Sequence, residues 1–136
     1  MITSNIESII PQRYPFVMVD SLIDATEEGF ETAYTVSENN IFIEGEYLQE
    51  PALIENIAQT VAAGFGYLNS QLNDEPKLGF IGAISKLKVH SLPKINSIIN
   101  TTVIVMFQME NIFLVKGINR EGDRVLLECE MKIVVT

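Results

Sequence analysis

The segment from residue 51 to residue 68 constrains the fold most, because it is the only long stretch with helical rather than alternating periodicity. On a wheel of about 100° per residue, one broad face is entirely apolar, formed by Leu53, Ile54, Ile57, Ala58, Val61, Phe65 and Leu68. The opposite side is mainly small or uncharged, and the segment contains no Lys or Arg. Neither side is typical of a solvated surface, so the sequence predicts a helix buried on both sides.

Glu55 stands out in this helix, because a buried carboxylate is costly unless it is paired or used. Gln59 lies about one helical turn further along. Two interpretations of Glu55 stay open. It is either a structural carboxylate bonded to the backbone or to Gln59, or a functional group in a buried site.

Composition limits the class of protein. With 136 residues and 47% hydrophobic content, the chain is long and apolar enough for one packed domain, residues 1–136. The net charge of −9 disfavours nucleic acid as a partner. No run approaches the roughly 18 apolar residues of a membrane span, and the N-terminus lacks the pattern of a signal peptide. We therefore expect a cytoplasmic protein.

The sequence contains one cysteine, Cys129, and one histidine, His90. A lone cysteine excludes an internal disulfide and a cysteine-based zinc site. We expect no metal site and no cofactor.

The remaining apolar stretches alternate or are rich in branched residues, which is typical of strands. They fall at residues 16–26, 30–36, 78–89, 98–109, 112–119 and 125–135. A short helix is predicted at residues 4–10 and a polar loop at residues 69–76. From these six stretches we expect about five strands beside one long helix, and the simplest arrangement wraps an antiparallel sheet around the helix. This predicts an α+β hotdog fold.

Charge is distributed unevenly. No Asp or Glu occurs from residue 76 to residue 109, whereas this stretch contains four of the nine basic residues and the histidine. They are Lys77, Lys86, Lys88, Lys94 and His90. Either these side chains are solvated strand edges, or they form a positive patch that receives an acidic partner or a phosphate.

Two motifs carry a resemblance to a known family. The sequence IPQRYPFVMVD at residues 10–20 closely resembles the opening motif of the (3R)-hydroxyacyl-acyl-carrier-protein dehydratases, Leu-Pro-His-Arg-Tyr-Pro-Phe-Leu-Leu-Val-Asp. Residues 54–59, IENIAQ, are similar to the signature of that family's central helix. The resemblance covers roughly residues 8–110. It implies a hotdog dimer with a tunnel for acyl-phosphopantetheine along the subunit interface.

The resemblance also implies roles for residues and partners. The family's catalytic acid falls on Glu55, and its capping or orienting glutamine falls on Gln59. The implied ligand is a thioester of acyl-carrier protein or of CoA. We expect a homodimer, a higher oligomer or a heteromer with another hotdog subunit.

The chain departs from the family before the helix. Where the family has Gly-His-Phe-Pro, this chain has Gly45, Glu46, Tyr47 and Leu48, and the segment up to Glu55 is about five residues shorter. Glu46 stands in the place of the histidine base. The shortened loop resembles dehydratase-like proteins of aryl-polyene and related lipid-pigment pathways.

Further site residues follow as hypotheses. Glu46 is either a substitute base or a solvated loop residue, and Tyr47 is a candidate for lining the tunnel. His90, with Lys86 and Lys88, is a candidate contact for the phosphate of a carrier or CoA, or an edge residue. Gly79 and Gly82, on either side of Phe80, either permit close helix–sheet packing or leave room for pantetheine along the strand, and we include Phe80 among the substrate contacts.

Three functions remain open. The first is a hotdog dehydratase acting on carrier-bound 3-hydroxyacyl chains, with Glu55 central, in fatty-acid or polyene-type lipid biosynthesis. The second is a hotdog thioesterase in which a helix carboxylate activates water. The third is a non-catalytic subunit that binds acyl-carrier protein or completes the site of a histidine-bearing dehydratase.

Overall fold

The computed structural model describes residues 1–72 and 79–136, which form one long helix, α1, and eight strands. The strands before the helix are β1 (Ser21–Thr26), β2 (Gly29–Thr35), β3 (Ile43–Glu44) and β4 (Tyr47–Leu48). The helix α1 spans Glu50–Gln71. The strands after it are β5 (Gly79–Val89), β6 (Ile98–Met109), β7 (Ile112–Glu121) and β8 (Arg124–Val135).

Six strands form one antiparallel sheet in the order β1-β2-β6-β7-β8-β5, and β3 and β4 form a separate small hairpin. All six except the edge strand β5 place buried residues against α1; on β6 these are Ile99, Thr101 and Val103, at every second position. The sheet wraps around the helix, so the predicted hotdog arrangement is confirmed, with six strands in the main sheet rather than about five.

The helix α1 is buried on two sides. Leu53, Ile57 and Val61 pack on the sheet in the main core. On the other side, Ala63 belongs to a second apolar cluster with residues of the N-terminal segment, including Ile10. The absence of lysine and arginine from the helix is explained by this second layer, because the chain that precedes β1 covers the face that would otherwise meet solvent.

Several predicted boundaries were wrong. The first helix is a single 3-10 turn at Ile6–Ser8, and the first strand begins at Ser21 rather than residue 16. The long helix starts one residue before Pro51 and continues through Gln71, into the predicted loop. Residues 73–76 of that loop, Lys77 and Leu78 lie outside the described residues.

Close packing between α1 and its neighbours depends on glycines other than the predicted pair. A Cβ atom on Gly66 would lie 2.1 Å from the carbonyl oxygen of Ile9, and one on Gly117 would lie 2.3 Å from Ile57. By contrast, a Cβ on Gly79 would lie 3.3 Å from Ile133 and one on Gly82 would lie 3.6 Å from Lys132, both on β8, and neither would have an atom of α1 within 4 Å. The hypothesis that Gly79 and Gly82 permit close helix–sheet packing was therefore wrong.

The contact at Gly66 leads to a prediction. Alanine normally stabilises a helix by about 1 kcal/mol relative to glycine, but Gly66→Ala will destabilise this protein by about 1–3 kcal/mol, because the methyl group meets a backbone carbonyl. Urea unfolding measures the change. Gly82→Ala, on the exposed edge strand, is the control and will change stability far less. A stabilised Gly66→Ala variant would contradict the packing described.

Strand β5 forms an edge of the sheet, and all of its residues are exposed. Five of these residues are large and apolar: Phe80, Ile81, Ile84, Leu87 and Val89. The register with β8 shifts at two places, and Lys86 lies in one of them with φ of 52°. An apolar edge strand that is open on both faces is a surface suited to pairing with another chain.

Candidate functional site

Glu55 lies in the second turn of α1, on the side facing away from the sheet core, and is partly buried. One of its carboxylate oxygens accepts a hydrogen bond of 3.0 Å from Nε2 of Gln59. The predicted proximity of the two side chains is confirmed. Their catalytic roles stay predictions.

Gln59 is completely buried, and both the oxygen and the nitrogen of its side-chain amide form hydrogen bonds. Its oxygen accepts a hydrogen bond of 2.7 Å from the backbone N–H of Met18, and its Nε2 donates to the carbonyl of Phe16 at 2.7 Å as well as to Glu55. Gln59 therefore fastens the extended segment that precedes β1 to the helix. It also holds one oxygen of Glu55 in a fixed position.

Glu55 lines a cleft of about 850 Å³, a volume in the range of ordinary small-molecule sites. The helix contributes Ala58, Ala62 and Phe65 to its floor. One wall is the N-terminal segment 7–13, and the other comes from the start of β5, the β6–β7 turn and the end of β8. The cleft thus follows one side of the helix from Glu55 towards its carboxyl end.

Aromatic rings form part of the apolar surface of this cleft. The ring centroids of Phe65 and Phe113 are 4.6 Å apart, and Phe65 also contacts the buried ring of Phe30 edge-on at 5.2 Å. Phe65 and Phe113 both line the cleft. A carboxylate beside an aromatic, apolar groove is suited to a ligand with a polar reacting end and an apolar chain.

A buried polar network fixes the start of the helix beside Glu55. Oδ1 of Asn56 accepts hydrogen bonds from the Thr101 hydroxyl and from Nδ2 of Asn119, at 2.9 Å for the latter. Nδ2 of Asn56 donates to the carbonyl of Met18 at 2.6 Å. All three polar side chains are almost completely buried. The network ties α1 to β6, to β7 and to the segment before β1.

The predicted substrate contacts on β5 do not all line the cleft. Gly79 and Phe80 line the cleft with Glu55, and Phe80 is 54% exposed. Gly82 lies further along the strand, outside the set of cleft-lining residues. The structure therefore brings two of these three residues together with Glu55.

Glu46 and Tyr47 lie outside the Glu55 cleft. Both are exposed on the β3–β4 hairpin before the helix. The Tyr47 ring lies 5.7 Å from Nζ of Lys94, and Tyr47 lines a second, smaller cleft with Lys94 and Arg124. Neither Glu46 nor Tyr47 lines the Glu55 cleft within one chain.

The predicted basic contacts lie on exposed β5 and at its end, and two of them form ion pairs with β8. Nζ of Lys86 is 3.2 Å from Glu130, and Nε2 of His90 is 3.1 Å from Glu128. Lys88 forms no ion pair with the residues described. The fourth lysine of the proposed patch, Lys77, falls in the gap between residues 72 and 79.

Catalysis by a cysteine nucleophile or by a bound metal finds little support among the described residues. Burial and the neighbouring Glu130 raise the pKa of the Cys129 thiol to about 11, so the thiol stays protonated at neutral pH and is a poor nucleophile. Within residues 1–72 and 79–136, no three His, Cys, Asp or Glu side chains gather as metal ligands. None of the helical structure described there is both long and apolar enough to cross a membrane.

Sequence reasoning missed several cleft residues. Phe113 was assigned only to a strand, and Phe65 only to the apolar helix face. Gln12 and Arg13 also line the cleft, and for them a signal existed, because both lie in the motif at residues 10–20. The motif predicted membership of a family, but it carried no information about which side chains face the helix.

Similar proteins were found by sequence and by structure. Residues 4–134 match the family described as ApeP-like, ApeP dehydratase. The 3-hydroxyacyl-(acyl-carrier-protein) dehydratase FabZ of Oceanobacillus iheyensis is 29% identical over 141 aligned positions, which cover 99% of each chain. FabZ of Petrotoga mobilis is 26% identical, covering 94% of this chain and 93% of that protein.

A solved structure with the same fold is the dehydratase heterocomplex ApeI:P from Xenorhabdus doucetiae. Its matching chain has a TM-score of 0.88 at 16% identity, with 96% of this chain and 90% of that chain covered. At this identity the likeness establishes the fold alone. The family match spans nearly the whole sequence, and the chain therefore belongs to the ApeP-like dehydratase family of hotdog proteins.

Proposed function

We propose that this protein binds acyl-phosphopantetheine thioesters in the Glu55 cleft and takes part in the dehydration of 3-hydroxyacyl chains on acyl-carrier protein. One observation carries the proposal. A carboxylate held by the fully buried Gln59 lies at the start of an aromatic groove of about 850 Å³. Acyl-carrier substrates named for the FabZ relatives have the matching combination of a polar thioester and an apolar chain.

In this proposal Glu55 is the acid of the elimination. A base removes the α-proton, the bond from the β-carbon to its hydroxyl breaks, and the carboxyl proton of Glu55 leaves with the hydroxyl as water. The electrons of the broken C–H bond become the double bond. A positioned acid of this kind contributes about 10²- to 10⁴-fold to a rate.

The base is proposed to come from a second hotdog chain. Glu46 stands in the sequence position of the family's histidine, and it lies on an exposed hairpin outside the cleft of its own chain. Pairing of the apolar edge strand β5 with another chain would bring foreign residues next to Gly79 and Phe80, which line the cleft. The partner is a second copy offering Glu46, or a histidine-bearing hotdog subunit.

A product assay tests the function. The purified protein, alone and with a co-expressed histidine-bearing hotdog subunit, is incubated with 3-hydroxyacyl and saturated acyl thioesters of acyl-carrier protein. We expect enoyl product from the 3-hydroxyacyl thioester. Release of free thiol from both substrates would instead indicate a thioesterase. Enoyl product at the same rate from the partner subunit alone would indicate a non-catalytic role for this chain.

A second function, a non-catalytic partner subunit, is favoured by one specific observation. Among the residues described, no imidazole lines the Glu55 cleft, because His90 lies at the far end of β5 beside Glu128. A chain with this site would then supply the binding groove, while the other subunit supplies the chemistry. The ApeI:P structure is described as a dehydratase heterocomplex, and one of its chains has this fold; we propose the same kind of assembly here.

Contact with the carrier protein gives a further prediction. Lys88→Glu will weaken the binding of acyl-carrier protein by about two- to fivefold at low salt, because Lys88 forms no ion pair within residues 1–72 and 79–136, whereas Lys86 is paired with Glu130. Lys86→Glu serves as the comparison and will have the smaller effect. Fluorescence anisotropy of a labelled carrier protein measures both affinities. Equal affinity of wild type and Lys88→Glu would remove Lys88 from the carrier contact.

A further inference from the structure

Gln12 is held between two contacts of the N-terminal segment with α1. The carbonyl of Phe16 accepts a hydrogen bond from Gln59, and the carbonyl of Ile9 packs directly on Gly66. Both contacts are made by helix residues that follow Glu55. At 3.6 residues per turn, Gln59 lies about one turn beyond Glu55, and Gly66 lies about three turns beyond it. Gln12 therefore lines the middle of the cleft rather than the end where the carboxylate lies.

The backbone around Gln12 is fastened by Arg13. The guanidinium group donates hydrogen bonds to the carbonyl oxygens of Ile10 at 2.7 Å, Gln12 at 2.8 Å and Glu7 at 3.0 Å. These bonds close the segment into a compact loop. The Gln12 side chain is consequently presented from a fixed backbone.

The side-chain oxygen of Gln12 is shielded from solvent and has no hydrogen-bond donor among the residues described. Two other polar side chains of the cleft are occupied. Ser70 donates to the carbonyl of Tyr67, and Asn111 donates to that of Val135. A buried acceptor without a donor is unfavourable in the free protein, and Gln12 lines the cleft, so a turn of its side chain towards a donor on a bound ligand would satisfy the oxygen.

We propose that Gln12 is a substrate-contacting residue, whose Oε1 accepts a hydrogen bond from an N–H or O–H group of the acyl-phosphopantetheine ligand. This inference rests on the proposed function. The donor is either an amide N–H of the pantetheine arm or a hydroxyl group on the acyl chain. The two donors lie on opposite sides of the thioester, so the contact also reports which arm of the ligand extends past Gln12, between one and three helical turns from Glu55.

The substitution Gln12→Met separates substrate contact from a structural role. It preserves the length of the side chain and removes the unpaired acceptor, so the free protein will melt at a higher temperature than wild type. Binding of a non-reactive acyl-pantetheine thioether will weaken by about 2- to 10-fold. Opposite changes in stability and affinity are expected only if the oxygen gains its partner from the ligand.

Isothermal titration of the full-length protein, in the assembly in which it purifies, measures the affinities. Gln71→Met, on an exposed residue outside the cleft, is the matched control and will bind like wild type. A loss that occurs with every acyl-pantetheine thioether assigns the donor to the pantetheine amide. A loss that requires a hydroxylated chain assigns it to that hydroxyl. Both results support the contact.

Other results would overturn the proposed contact between Gln12 and the ligand. Equal binding by wild type and Gln12→Met would remove Gln12 from the contact and leave the proposed function intact. Weaker binding together with a lower melting temperature would mean that Gln12 only holds the wall in place. Failure of wild type to bind any acyl-pantetheine thioether would overturn the proposed function itself, and with it the role of Gln12.

Discussion

Replacing Glu55 with glutamine will lower the rate of enoyl formation by about 10²- to 10⁴-fold, with little change in stability. The amide has the size of the carboxyl group, and its oxygen can still accept the hydrogen bond from Gln59. What it cannot do is transfer a proton to the leaving hydroxyl. Steady-state kinetics with a 3-hydroxyacyl thioester measures the loss, which is expected in kcat rather than in KM.

Glu50→Gln is the matched control for this experiment. Glu50 lies in the first turn of the same helix, is exposed, and does not line the cleft. It will keep the wild-type rate. If Glu55→Gln also retained a rate within about twofold of wild type, far below the effect of a positioned acid, Glu55 would not be the acid.

The largest effect on stability is expected at Asn56. Asn56→Leu will destabilise the protein by about 3–5 kcal/mol. The leucine leaves the Met18 carbonyl without its donor and the Thr101 hydroxyl without its acceptor, and it removes one acceptor of Asn119. All of these groups are buried. Urea unfolding of wild type and variant measures the difference.

A double-mutant cycle distinguishes the network from loss of packing. Thr101→Val removes one member of the network, and its effect will not add to that of Asn56→Leu, because both variants break the same hydrogen bond. Asn100→Leu, at an exposed position next to Thr101 on β6, is the control for the strand. Simple additivity of Asn56→Leu and Thr101→Val would contradict a coupled network.

The helix α1 was predictable from sequence because the 3.6-residue spacing of its apolar residues is a property of the segment itself. A sequence with 3.6-residue periodicity and no lysine or arginine requires cover on two sides wherever it lies in a fold. The segment from residue 16 to residue 20 was misassigned for the converse reason. Its branched residues favour a strand, but two of its backbone groups bond to the Gln59 side chain, and that tertiary contact overrides local preference.

The candidate site was predictable only in part. Glu55 and Gln59 are four residues apart on one helix, a spacing that brings side chains together in any helix, so their hydrogen bond followed from sequence. Glu46 was assigned by its place in a motif, and position in the sequence does not determine which cleft a hairpin faces. Gln12 was missed, because the burial of its oxygen depends on how the N-terminal segment packs across α1.

The most direct test of the central claim is a crystal structure of the protein, in the assembly in which it purifies, with a non-reactive thioether analogue of a 3-hydroxyacyl-pantetheine. We expect the ligand in the Glu55 cleft. Its 3-hydroxyl will lie within hydrogen-bond distance of the Glu55 carboxyl group, about 2.6–3.2 Å, and part of its chain will contact the rings of Phe65 and Phe113. A ligand bound elsewhere, such as the cleft beside Tyr47, with the Glu55 cleft empty, would contradict it.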